Sequence, residues 1–202
     1  MIGLSAAILA GGKSSRMGAE KAFLKLQNKP FIRIIYDKLD TLSDDIIVLV
    51  GTMQADAFIS KLPHGARVIT DSIYTSSPIG GIITAALNSR NTYFAVVATD
   101  MPLIKPAVIE RLYNAAMGHS AAIPAFKDGR FEPLCSVYRA DDIKGLDLSL
   151  LRAARDIIKI LPDPVLVNVE NFIDIDPELD TFRNINTRAD YLNLLNYNAL
   201  KV

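Results

Sequence analysis

Cysteine and histidine are nearly absent from the 202 residues: Cys135 stands alone, and His64 and His119 are the only imidazoles. A single cysteine excludes an internal disulfide and fits a reducing compartment. So few nitrogen and sulfur ligands argue against a zinc site, so any metal is expected to be a hard, oxygen-bound ion such as Mg²⁺. Net charge is absent too, since 22 basic residues balance 22 acidic ones. No basic surface therefore announces a nucleic acid, and no charged low-hydrophobicity tail announces disorder. Long apolar runs are also missing. The first run has no basic segment ahead of it and meets Lys13 well short of the roughly eighteen residues that span a bilayer, so neither a signal peptide nor a membrane helix is expected. No repeat, linker or low-complexity stretch divides the chain. Together these absences predict one soluble cytoplasmic domain over residues 1–202, with small molecules or other proteins as partners. An α/β unit of this length buries about 70 % of its unfolded surface, enough for one core.

What is present is concentrated near the start, in Leu9-Ala10-Gly11-Gly12-Lys13-Ser14-Ser15-Arg16-Met17-Gly18-Ala19-Glu20-Lys21. Leu4 to Leu9 reads as a buried parallel strand that stops at two glycines. Glycines let backbone N–H groups approach a ligand, and successive N–H groups in such a turn make a concave anion site. Lys13, Arg16 and Lys21 add three cations, which suits a polyphosphate. Two phosphate-binding motifs fail on spacing. A P-loop ending at Gly12-Lys13-Ser14 needs its first glycine where Ala7 stands, and a G-x-G-x-x-G fingerprint starting at Gly11 needs glycines where Lys13 and Arg16 stand. The plain alternative is a glycine turn between a strand and a helix.

The stretch instead resembles the L-A-G-G-x-S-x-R-M-G-x-x-K signature of nucleotidyltransferases with a Rossmann-like NTP-transferase fold, and most closely that of the molybdenum cofactor guanylyltransferases. Glu20 stands where that family often has aspartate. The resemblance implies that Leu9, Ala10, Gly11, Gly12 and Lys21 bind the nucleotide, with Arg16 and Lys21 neutralising charge on leaving pyrophosphate.

The remaining chain alternates strands and helices. Pro30 opens a helix after a turn at Asn28-Lys29, with Phe31, Ile34, Ile35, Leu39 and Leu42 at helical spacing. Ile46 to Val50 reads as a second parallel strand, Ala55 to Leu62 as a short helix, and Ala66 to Ile69 as a strand ending near Asp71. His64 falls in a turn. Thr70 to Gly81 is polar and leads through Gly80-Gly81 into the apolar run Ile82 to Leu87; a helix opened this way offers free N–H groups to a ligand. It resembles the family's D…G-P-L-G-G-I segment, which implies that Asp71 and Gly81 lie by the nucleotide. Ser77 and Ile79 depart from that pattern, and Asp71 could alternatively cap a turn.

Tyr93 to Ala98 is expected to be a central strand, and it delivers Thr99-Asp100-Met101-Pro102 to the end of the sheet where ligands gather in open α/β folds. A carboxylate there can hold a metal against a phosphate, or merely cap the next turn. The D-M-P sequence resembles the family's metal-binding motif, which implies Asp100 as the Mg²⁺ ligand. Pro106 opens a helix with Val108, Ile109, Leu112, Ala115 and Ala116 on one side, and His119 follows in a loop. Ser120 to Phe126 and Glu132 to Tyr138 read as a hairpin about Asp128-Gly129, matching a family P-L-x-x-x-Y strand at Pro133, Leu134 and Tyr138. Leu146 to Leu161 is expected to be an amphipathic helix closed by Pro162, and Val165 to Val169 a strand.

Last comes Phe182-Arg183-Asn184-Ile185-Asn186-Thr187. Thr187 with Asp190 is spaced as a cap for a helix from Arg188 through Leu195. Asn184 and Asn186 alternate about one residue, so both amides could face one ligand or could satisfy loop backbone. They resemble the N-[IV]-N-T segment of the guanylyltransferases, which implies contact with a pterin acceptor. The resemblance covers essentially the whole chain. It implies a three-layer α/β Rossmann-like nucleotidyltransferase fold with a mostly parallel sheet and an antiparallel part in its second half. It also implies transfer of GMP from GTP to molybdopterin or molybdenum cofactor, catalytic Arg16, Lys21 and Asp100, and exchange with cofactor-handling proteins. A sister enzyme using CTP or a sugar-phosphate acceptor would share the first loop, and a non-catalytic nucleotide-binding module would have no need of Asp100.

Overall fold

The computed structural model describes residues 2–10, 21–51, 55–70, 78–146 and 153–199. The chain begins with β1 (Leu4–Leu9), every residue of which is buried. A 3₁₀ turn at Lys21–Phe23 leads into a two-stranded hairpin, β2 (Lys25–Leu26) and β3 (Lys29–Pro30). Its turn residues Gln27 and Asn28 have φ of 50° and 64°, so the bend falls one residue earlier than the expected Asn28-Lys29. Positive φ at both central positions matches the right-handed twist of the paired strands. Then follow α1 (Phe31–Leu39), β4 (Asp45–Val50), the short α2 (Ala55–Ile59) and β5 (Arg67–Thr70). Pro30 caps α1 from outside rather than opening it, and its missing N–H costs the helix nothing there.

The second half runs α3 (Ile79–Asn88), β6 (Tyr93–Ala98), α4 (Pro106–Ala116), β7 (Ala121–Ala125), β8 (Cys135–Arg139), α5 (Ala140–Lys144), α6 (Ile157–Ile160), β9 (Pro164–Asn168) and α7 (Arg188–Ala199). Ala153 is extended, at φ −141° and ψ 156°, so the single helix expected from Leu146 to Leu161 does not form. The Asp156 carboxylate takes the Ala153 N–H at 2.9 Å and starts a fresh turn, the local competition by which aspartate ends regular helix.

Seven strands form one sheet in the order β5-β4-β1-β6-β8-β7-β9. Only β8 runs against the rest, pairing antiparallel with both β6 and β7. The antiparallel part expected of the second half is therefore one inserted strand. Alternate residues of the central strands face two apolar layers. Ala6, Ile8, Val48 and Val97 pack with Ile32 and Ile35 of α1 and Val108 and Leu112 of α4. Ala7, Leu9, Ile47 and Val96 pack on the other face with Ile79 and Ile82 of α3, Ile143 of α5 and Ile157 of α6. Burial on both faces is why these strands read as continuous apolar runs. A small third cluster, Leu26, Phe31, Ile185 and Leu194, seats α7 and the segment before it against the hairpin and α1. Among the described residues, no helix is long and apolar enough to cross a membrane.

Candidate active site

The strand order reverses at β1, which has β4 on one side and β6 on the other, so the switch point of the sheet lies at the carboxyl ends of β1 and β6. Leu9 and Ala98 stand in register there, and Thr99 donates its N–H to the Leu9 carbonyl at 3.2 Å. Ala10 is fixed at the same level by its N–H to the Leu49 carbonyl, 2.8 Å. These bonds place the residues after β1 and the residues after β6 at one rim. Gly11, Gly12, Arg16 and Asp71, all expected at the nucleotide, lie outside the described residues, as do Lys13, Ser14, Gly18 and Ser77.

Asp100 sits two residues beyond β6, with buried Met101 turning back through its N–H to the Ala98 carbonyl at 3.2 Å. Lys21 reaches the same place from its 3₁₀ turn, anchored by buried Ala22. Its Nζ donates to Asp100 Oδ2 at 3.1 Å and to Asn186 Oδ1 at 2.7 Å. The third partner arrives because the loop before α7 is pinned from below. Ile185 donates its N–H to the Asp100 carbonyl at 2.8 Å and buries its side chain in the third cluster. On either side of Ile185, Asn184 and Asn186 turn to polar partners, Glu132 and Lys21. The cap expected at α7 is present. Asp190 accepts the Thr187 N–H at 2.7 Å and returns its own N–H to Thr187 Oγ1 at 3.1 Å.

Asn184 reveals a residue the sequence reading missed. Its Nδ2 donates to Glu132 Oε2 at 3.2 Å, and Glu132 Oε1 accepts the Leu134 N–H at 3.2 Å. The expected strand from Glu132 to Tyr138 starts three residues later. Phe131 makes an isolated bridge to Ala125, and Glu132-Pro133-Leu134 loops out before β8 begins at Cys135. The loop is held by Ser136 Oγ to the Glu132 carbonyl at 2.6 Å and Tyr138 Oη to the Pro133 carbonyl at 2.8 Å. Burial pushes the Glu132 carboxyl above the usual range, the Asp100 charge pushes the same way, and the bonds from Asn184 and Leu134 pull it back. The only signal in the sequence was a carboxylate between a tight turn and a proline, where a paired strand would have had an ordinary solvent-facing residue.

Gly81 has a packing reason for being glycine. A Cβ there would lie 3.1 Å from Leu9 Cδ2, so the missing side chain lets α3 settle on the end of β1. Cys135 is fully buried and burial pushes its thiol well up, which removes it as a nucleophile or soft-metal ligand. Among the described residues no group of three or more His, Cys, Asp or Glu side chains could hold a metal. The donor group at the rim is instead an oxygen one, the Asp100 carboxylate. That group fits a hard cation bound by one or two protein oxygens and completed by substrate phosphate and water.

The Lys21–Asp100 pair leaves about a fifth of each side chain exposed, at 21% and 21%. Such pairs contribute about 1 kcal/mol or less, so an arriving phosphate can draw Lys21 away at little cost. The cluster is thus a cation beside a carboxylate at the mouth of an α/β switch point, faced by two amides.

The family model described as MobA-like NTP transferase domain matches residues 6–165. The chain belongs to the MobA-like NTP transferases. That match includes Lys21, Asp100 and Glu132 but stops before Asn184. Relatives cover the rest: a Methanosarcina mazei protein described as a probable molybdenum cofactor guanylyltransferase is 33% identical over 98% of this chain and 92% of its own. The solved structure of molybdopterin-guanine dinucleotide biosynthesis protein A from Archaeoglobus fulgidus superposes with a TM-score of 0.82 at 28% identity, covering 97% of this chain and 99% of that one. A Mycobacterium tuberculosis protein solved as a manganese complex shares the fold, with a TM-score of 0.65 at 16% identity over 96% of this chain and 98% of its own.

Proposed function

We propose that this protein transfers GMP from GTP to the terminal phosphate of molybdopterin, with or without molybdenum. An oxygen of that phosphate attacks the α-phosphorus of GTP, the bond to the bridging oxygen breaks, and pyrophosphate leaves. The observation that carries the reading is Lys21, whose ammonium bridges Asp100 and Asn186 and so joins the expected phosphate site to the expected acceptor loop. The relatives named as guanylyltransferases and molybdopterin-guanine dinucleotide biosynthesis proteins support the substrates.

Phosphoryl chemistry of this kind needs placement and charge stabilisation more than covalent help. Lys21 transfers its hydrogen bonds from Asp100 to the triphosphate and gathers charge toward the leaving pyrophosphate, a role shared with Arg16. The backbone at Gly11 and Gly12 cradles the phosphates, and Asp71 contacts the nucleotide. Asp100 would hold a divalent cation such as Mg²⁺, which when bound neutralises phosphate oxygens; the manganese complex of the M. tuberculosis neighbour supports a divalent ion. Asn184 and Asn186 hold the pterin.

The test is turnover of GTP, CTP, ATP and UTP with molybdopterin, followed by pyrophosphate release and product mass. Preference for GTP with formation of the guanine dinucleotide is expected. A CTP preference would move the enzyme to a cytidylyl-transferring sister activity, and binding without turnover would reduce it to a nucleotide-binding module.

A further inference from the structure

We propose that Glu132 and Lys21 lock the amides of Asn184 and Asn186 in opposite senses, so that the loop presents one acceptor and one donor to the lactam edge of the pterin. A lactam edge is a ring N–H beside a ring carbonyl. The assignment to the pterin rests on the reading of this loop as the acceptor side.

An asparagine amide has a donor end and an acceptor end, and which end faces a ligand is decided by what the other end touches. An ionised carboxylate only accepts. Glu132 therefore takes the nitrogen of Asn184, at 3.2 Å, and the Asn184 oxygen is turned outward. An ammonium only donates. Lys21 takes the oxygen of Asn186, at 2.7 Å, and the Asn186 nitrogen is turned outward. Among the described residues neither outward end has another side-chain partner. Backbone bonds hold the pair in place. Ile185 between them is bonded to the Asp100 carbonyl at 2.8 Å, and the Asn186 N–H is bonded to Asp190 Oδ2 at 3.0 Å.

Glu132 is itself immobilised. Its second oxygen is occupied by the Leu134 N–H, and its own N–H is bonded to the Pro124 carbonyl at 3.0 Å. A half-buried, partly desolvated carboxylate is an unfavourable choice for mere structure, because a neutral side chain would avoid the cost of desolvating charge. Its use here is that an ionised carboxylate has no N–H or O–H to offer, so the Asn184 amide can meet it only with its nitrogen. Glu132 is thus a positioning residue that sets acceptor specificity through Asn184. Guanine carries the same lactam edge, so the two possible ligands must be measured separately.

In Glu132→Gln the oxygen that serves Leu134 keeps that bond and an NH₂ group faces Asn184. Two NH₂ groups repel, so Asn184 turns over and presents a donor where the ligand needs an acceptor. Adding Asn184→Asp restores the bond with its direction reversed: the introduced glutamine amide donates to the introduced carboxylate, whose other oxygen again faces outward. The net charge of the double variant equals that of the native chain.

The experiment titrates the native protein, Glu132→Gln, Asn184→Asp and the double variant separately with molybdopterin and with GTP, each checked by thermal melting. Glu132→Gln should weaken molybdopterin about ten- to a hundredfold, as one mispaired polar group does, while the GTP affinity holds. Asn184→Asp, with two carboxylates opposed, should weaken it as well, and the double variant should recover most of the loss. Native molybdopterin affinity in Glu132→Gln overturns the proposal. So does a well-folded double variant that binds no better than the single ones. If GTP affinity falls and is rescued instead, the pterin assignment is overturned together with the reading of the loop, and the lock belongs to the guanine. Should Glu132→Gln not fold, Asn184→Asp and the double variant make the same comparison.

Discussion

Lys21 is placed where its worth to stability and its worth to chemistry separate. Its pair with Asp100 is partly exposed, so removing the ammonium should cost the fold only about 1 kcal/mol or less. In the proposed role at the reacting phosphates, loss of one such charge stabiliser usually costs ~10²-fold or more in rate. Lys21→Ala should therefore melt close to the native protein yet lose at least ~10²-fold in kcat and in kcat/KM together. A rise in KM with kcat intact would return Lys21 to ground-state attraction of GTP. Asp100→Asn keeps the shape and removes the charge, and a similar loss that excess Mg²⁺ or Mn²⁺ partly restores is expected if the carboxylate holds the cation. Full turnover without added metal would refute that role.

Lys21, Asp100 and the two asparagines could be picked out of the sequence because each stands in a stretch that resembles a family motif, and Asp100 also follows the end of a central strand. Glu132 could not be read this way. Its place depends on three residues looping out between Phe131 and Cys135, and that loop is fixed by bonds from Ser136 and Tyr138 that no local pattern encodes.

Among elements, the least legible was the stretch between β9 and α7, which carries no strong period and yet holds the loop of Asn184 and Asn186 in place. Asp176 organises it. The carboxylate is fully buried and accepts from Lys105 Nζ at 2.9 Å, the Thr181 N–H at 2.8 Å and the Asp180 N–H at 3.2 Å. Lys105 stands at the entrance to α4, so this one side chain ties the segment before Asn184 to the segment after Asp100. Burial works to raise the Asp176 carboxyl, but the Lys105 and Thr181 bonds outweigh it and hold it below the usual carboxylate range. A lowered value in the folded state stabilises the protein above the ordinary carboxylate pKa, and that contribution is lost as pH falls through the folded value. Asp176→Asn should cost about 1.5–3 kcal/mol at pH 7, the scale of hydrogen bonds to a charged group. The gap to the native protein should narrow below about pH 4, where the unfolded chain's aspartate also becomes protonated. Urea unfolding at both pH values checks it, and a gap independent of pH would mean that packing rather than charge is lost. The expected helix over 146–161 failed for a comparable reason. Its apolar spacing was genuine, but Asp156 captured the Ala153 N–H, a competition that periodicity does not register.

Taken whole, the molecule divides its sheet into a working end and a holding end. At the working end the charges of Lys21 and Asp100 are partly exposed and exchangeable. At the opposite end, about 17 Å away along a six-residue strand, Asp45 opens β4 with its carboxylate 2% exposed. Asp45 accepts from Ser5 Oγ at 2.6 Å and the Arg90 N–H at 2.9 Å, and it pairs with Arg67 at the start of β5. Three chain segments are thereby fastened at the amino-terminal edge by one charge that water cannot reach. Breaking such a pair from one side is expensive, about 3 kcal/mol here, at the low end of the usual range because Arg67 is partly exposed and can turn to solvent. A domain with roughly 5–15 kcal/mol in hand survives that loss at 25 °C. Asp45→Ala should therefore lower the urea midpoint and the melting temperature substantially while kcat and KM for GTP stay native at 25 °C, because its carboxylate is bonded to Ser5, Arg67 and Arg90 at the opposite edge of the sheet. Asp100→Asn should do the reverse, leaving the unfolding curve near native and lowering turnover by ~10²-fold or more. The two variants measured side by side decide the matter. If folded Asp45→Ala protein loses kcat in step with its stability, the two ends of the sheet are mechanically coupled and the division fails.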